Sequence, residues 1–290
     1  SPNPPFGGYG PSFVNPRTGQ ILGADIMLEY VYFTNRVKYE QLHRTFNSDS
    51  ELIFDSENTC LAGDYLHQGN LFGLAALSTV DDFSQLEQHR LIYESLVKLT
   101  LHEVGHTLGL NHNFYASHLH SFKNIHDRII TEPVGLTSSV MDYVSANVND
   151  KPKHHGQFYS TTPGPYDVWA IEFGYTPPHE SPTDEKERVE LLLNQSTKNE
   201  LGFGNDADDM RSPGMGIDPR INVSDMSADP VAYAKQRMDI VRSLYPGLKK
   251  RYERSGESYH AFTDAFSILN REYSNSAMVI SRYVGGVFMD

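Results

Sequence analysis

His102-Glu103-Val104-Gly105-His106-Thr107-Leu108-Gly109-Leu110-Asn111-His112 gathers three histidines and a glutamate in one short segment. On a helix, residues four apart stand one turn above each other, with Cβ atoms roughly 5–6 Å apart. His102 and His106 can therefore offer two imidazole nitrogens to one metal ion, at about 2.0–2.1 Å each for zinc. Glu103 is displaced by one residue, so it faces beside the metal and can deprotonate a water there without being a ligand. Gly109 permits the positive φ that turns the chain off the helix and brings His112 back as a third ligand. Three ligands leave a position open for water, the pattern of a catalytic site and not of a closed structural one. Chance would produce this set on the order of once in ten thousand chains, taking about one in twenty per fixed position.

Outward from that segment, Ser84 to Leu110 is predicted as one helix, with Leu86, Ile92, Leu96, Leu99 and Val104 near helical spacing and Asp81 or Ser84 as a cap. Upstream, the Gly/Pro/Asn-rich first twenty residues are expected to be irregular, with a turn at Asn15–Gly19. A strand is predicted over Ile21–Phe33, a helix over Arg36–Phe46 and a short buried strand over Leu71–Leu77. Downstream, Asn111 to Thr137 reads as a long connection and Tyr166–Phe173 as a helix begun by Pro165. A linker at Thr176–Asp184 and a long acidic loop near 202–230 separate helices expected at Glu185–Asn194, Pro230–Leu244 and Tyr259–Tyr273. The layout is α+β, with a catalytic region over 1–180 and a mainly helical subdomain over 181–290.

Charged residues make up 21% and apolar ones 39% of the 290, a globular balance. Lys and Arg total 24 against 37 Asp and Glu, a net charge of −13 that repels nucleic acid. No apolar run approaches the roughly 18 residues needed to span a membrane. Cys60 is the sole cysteine, so no internal disulfide can form.

The extended motif from His102 to His112 resembles that of the metzincin clan of zinc peptidases. Ser138-Ser139-Val140-Met141-Asp142-Tyr143 follows, with Met141 lying 29 residues after His112. The resemblance implies that Met141 belongs to a tight Met-turn forming an apolar floor under the imidazoles. It also implies that Tyr143 ligates zinc or steadies the oxyanion, as in the astacin and serralysin branches. Asn15 to Asp25, the Asn113-Phe114 pair, Pro163 to Ala170, and the segments from Asp229 and up to Gly285-Gly286 are similar to recurring phrases of a bacterial exported family with a zinc-dependent metzincin domain. That similarity implies a mixed sheet with an active-site helix, a peptide or protein substrate, and export to the periplasm or beyond. The clan usually has more sheet and helix ahead of the active-site helix, so the chain is expected to be part of a longer protein, its catalytic region N-terminally incomplete.

On this reading the chain is an endopeptidase in which Glu103 activates a zinc-held water and the peptide pairs with a sheet edge, Leu71–Leu77 being a candidate. Two alternatives stay open: a zinc hydrolase of a non-peptide amide or ester, and a retired metzincin fold that only binds. His118, His120, His154 and His155 read as surface or loop histidines rather than a second metal site. Asn205, Asp206, Asp208 and Asp209 could offer oxygens to calcium, but they lack EF-hand spacing and read first as a solvated acidic loop.

Overall fold

The computed structural model describes residues 8–28, 60–77, 85–149, 156–209, 216–253, 255–256 and 258–289. The predicted helix over 36–46 and the pair His154–His155 lie outside these. At the start, β1 (Gly8–Tyr9) pairs antiparallel with β4 (Met27–Leu28), and β2 (Ser12–Val14) with β3 (Ile21–Ala24). The expected turn is present: Asn15 N donates to the Gln20 carbonyl at 2.8 Å, and Gly19 takes φ +73°. The strand expected from Ile21 is interrupted after Ala24: Asp25 N still donates to the Pro11 carbonyl opposite it, but Pro11 has no N–H to return. No mixed sheet occurs among the described residues; these two ribbons are their only sheet structure.

Helix α1 (Ala62–Leu77) overturns the expectation of a strand at Leu71–Leu77. A short apolar run looks alike in a buried strand and a buried helix. Here Leu and Ala, the strongest helix formers, dominate and no β-branched residue is present. Leu66, Leu71, Phe72, Ala76 and Leu77 are all buried. Gly73 lets α2 (Gln85–Thr107) approach closely, since a Cβ there would come within 2.8 Å of Leu91 Cδ2.

Of the apolar positions read on α2, only Leu99 is fully buried. Leu86 is 72% exposed, whereas Leu91, Glu94, Ser95, Lys98, Leu99, His102 and Glu103 are buried. The helix thus turns a largely polar stripe inward. After the short α3 (Arg128–Thr131), a buried irregular stretch over 136–148 meets α4 (Pro165–Tyr175), which in turn contacts α5 (Pro182–Leu193). Its backbone groups find partners off the regular elements: Ser138 N on the Ala116 carbonyl (2.9 Å), Asn147 N on the Phe158 carbonyl (2.9 Å) and Leu136 N on Ser160 Oγ (2.9 Å).

Helices α6 (Pro230–Tyr252) and α7 (His260–Arg282) pack against each other and against α1. Both exceed their predicted ends at Leu244 and Tyr273. Pro246 would ordinarily stop a helix. Here Leu244 and Leu248, one turn apart across it, are buried in the same core as Phe72, Leu99 and Leu269, and that burial carries α6 onward.

Candidate metal centre

His102 and His106 project from successive turns of α2 with ring centroids 4.7 Å apart. The chain leaves the helix at Gly109, φ +90°, with Gly109 N on the His106 carbonyl and Leu110 N on the Gly105 carbonyl, each at 3.0 Å. That turn sets the His112 ring 5.4 Å from His102 and 4.9 Å from His106.

Each Nδ1 faces an acceptor: the Val140 carbonyl at 2.8 Å for His102, the Leu110 carbonyl at 3.0 Å for His106, and Asp206 Oδ2 at 2.6 Å for His112. Such partners hold the proton on Nδ1 and leave the Nε2 lone pair for a metal. Burial keeps His102 well below the ordinary imidazole range and brings His106 down to about 4, so both are neutral at pH 7. One donor atom from each histidine, together with Cys60 Sγ, lies within 4.8 Å of all the others.

Glu103 is fully buried beside them, and its Oε2 has no hydrogen-bond partner. Desolvation raises its carboxyl to about 7. The ribbon contributes to that burial: a Cβ on Gly10 would come 2.5 Å from the Glu103 carbonyl oxygen and 3.3 Å from Oε2. Three imidazoles held by their outer nitrogens, next to an orphaned buried carboxylate oxygen, form a donor set suited to zinc.

Ser138 to Tyr143 passes beneath α2. The Met141 sulfur fills the space a Cβ on Gly105 would need. Asp167 of α4 fixes the segment by accepting from Val140 N (2.8 Å), Ser139 Oγ (2.6 Å) and Gly164 N (2.8 Å). The Val140 carbonyl receives both His102 and the buried Lys98 Nζ, the latter at 2.7 Å. The Tyr143 hydroxyl lies 2.8 Å from His112 Nε2 and accepts from Leu61 N at 3.1 Å.

All six residues singled out from the sequence, His102, Glu103, His106, His112, Met141 and Tyr143, therefore meet in one place. The acidic loop takes a different part from the one weighed for it. Among the described residues no cluster other than Cys60, His102, His106 and His112 has metal-ligand geometry, and calcium finds no support. Asp206 instead orients His112. His118 and His120 are buried rather than on the surface and hydrogen-bond the Arg220 and Gly135 carbonyls at 3.2 and 2.7 Å.

Sequence reasoning missed Cys60, Asp206, Asp167 and Lys98 as parts of the site. For Lys98 a signal existed: it lies four residues before His102, hence on the same helix face. For the others, separations of 42 (Cys60 to His102) and 94 residues (His112 to Asp206) hide the proximity. A family model described as Met-zincin matches residues 84–290, more than half of the chain. No curated protein and no solved structure matches it.

Proposed function

The chain belongs to the Met-zincin family, which implies a zinc metallopeptidase, and from that premise we propose an endopeptidase in which His102, His106 and His112 hold zinc and Glu103 is the general base. The observation that carries this reading is the engagement of all three Nδ1 atoms by acceptors beside the unpartnered Glu103 Oε2. When bound, zinc supplies Lewis-acid polarisation of the scissile carbonyl and acidifies water.

The remaining chemistry belongs to the chain. Glu103 takes the proton of the attacking water on a carboxylate oxygen and later delivers it to the leaving amine. The Tyr143 hydroxyl donates to the oxygen that gains charge as the carbonyl becomes tetrahedral. Met141 serves as the Met-turn residue, an apolar floor that sets the height of α2 through Gly105. Asp206 holds His112 in the tautomer that presents Nε2. The peptide binds extended, though Leu71–Leu77 does not supply a pairing edge, because its backbone groups are spent within a helix.

No helix among the described residues is long and apolar enough to cross a membrane. Export belongs to the proposal, on the resemblance alone.

Cleavage-site profiling of a denatured protein mixture tests this function. Zinc-loaded protein is expected to generate new peptide termini, abolished by chelation and by Glu103→Ala. Absence of cleavage from protein carrying stoichiometric zinc would count against peptide hydrolysis.

A further inference from the structure

Cys60 lies two residues before α1, and its sulfur joins the histidine cluster. Sγ lies 3.4 Å from His102 Nε2, 3.6 Å from Glu103 Oε1 and 3.6 Å from the Tyr143 hydroxyl. In a tetrahedral zinc site with Zn–N of about 2.0–2.1 Å and Zn–S of about 2.3 Å, sulfur and nitrogen stand about 3.5 Å apart. The separation from His102 Nε2 fits that figure, and the donor atoms of His106 and His112 lie within 4.8 Å of the sulfur. The neighbouring residue acts on the same site, since Leu61 N donates to the Tyr143 hydroxyl at 3.1 Å.

Resting on the zinc reading above, we infer that Cys60 is a fourth ligand of the metal, so that this conformation is a closed, latent form of the enzyme. Three imidazoles and one thiolate complete a four-coordinate set, the arrangement of a structural site, and leave no position for water. The thiol gives up its proton on coordination, as metal-bound cysteines do. Glu103 then has no water to act on, and the Tyr143 hydroxyl accepts from Leu61 N while its own proton faces the Cys60 sulfur. Activity requires the 60–61 segment to withdraw, which frees the fourth position and the phenol together. The Glu103 carboxylate agrees with this state: its Oε1 lies 3.6 Å from the Cys60 sulfur and its Oε2 has no partner.

Cobalt(II) substitution of the full 290-residue chain tests the proposal without relying on turnover. A thiolate-to-cobalt charge-transfer band in the near ultraviolet is expected in the wild type and absent in Cys60→Ser and Cys60→Ala, each still binding one metal. Because Cys60 is the sole cysteine, alkylation reports on it alone. Zinc should slow labelling by iodoacetamide at least severalfold, and the two variants should cleave peptides severalfold faster than the wild type. One metal per chain with no charge-transfer band, and labelling unchanged by zinc, would overturn the ligand assignment and leave the zinc reading intact. Failure of the wild type to bind any metal would instead overturn both. The wild-type spectrum and labelling need no variant to fold.

Discussion

Two buried polar clusters in this molecule differ in what their groups face. Around Arg237, which joins α6 and α7 to the rest, the charge is well matched. Its Nε pairs with Glu272, Nη1 donates to the Ala146 carbonyl at 2.6 Å and to the Tyr233 hydroxyl at 3.2 Å, and the guanidinium lies 4.6 Å over the Phe72 ring. Around α2, by contrast, the outer nitrogens of the histidines are held by acceptors while Glu103 Oε2 lacks a partner, and burial keeps His102 and His106 neutral. A buried polar group without a partner costs free energy. Each cluster retains one such atom, Arg237 Nη2 in one and Glu103 Oε2 in the other, but only Glu103 sits beside a set of converging metal-ligand atoms.

The sharpest way to break that contrast is Glu103→Gln. Loss of a general base costs about 10²–10⁴-fold in rate, with zinc content and thermal midpoint retained. Wild-type cleavage by this variant would remove Glu103 from the chemistry, and loss of zinc would make it structural. Arg237→Met is expected to do the reverse, leaving Glu272 buried and uncompensated at about 3–5 kcal/mol. Denaturant unfolding should register that loss, while metal stoichiometry of the folded fraction stays at one. The double variant Arg237→Met/Glu272→Met should recover much of it, and if it does not, the pair is not the clamp described.

Tyr143→Phe should lower kcat by about 10²–10³, or roughly 2.7–4 kcal/mol, with little change in KM. The hydroxyl also accepts from Leu61 N, so a modest fall in thermal midpoint is expected alongside. A variant that loses stability and keeps kcat would move Tyr143 into the structural class with Arg237. The smallest effect belongs to Asp206→Ala. Removing a carboxylate that orients a metal-bound histidine typically weakens metal affinity about 10–100-fold. Competition with a chromogenic chelator would measure it, and unchanged affinity would show that His112 is oriented without Asp206.

The sequence by itself determined the local part of the site. His102, Glu103 and His106 share a face because helical spacing is a property of neighbouring residues, and Gly109 adopts φ +90° at the end of the helix as its lack of a Cβ allows. The Ser138–Tyr143 segment was legible through its resemblance to a known turn. Tertiary structure decided the rest. The buried face of α2 is a polar stripe that an apolar count overlooks, since burial there follows the site and not hydrophobicity. Cys60 and Asp206 joined the histidines only on folding, from 42 and 94 residues away. Contacts of that range depend on how whole elements pack, and no local spacing rule encodes them.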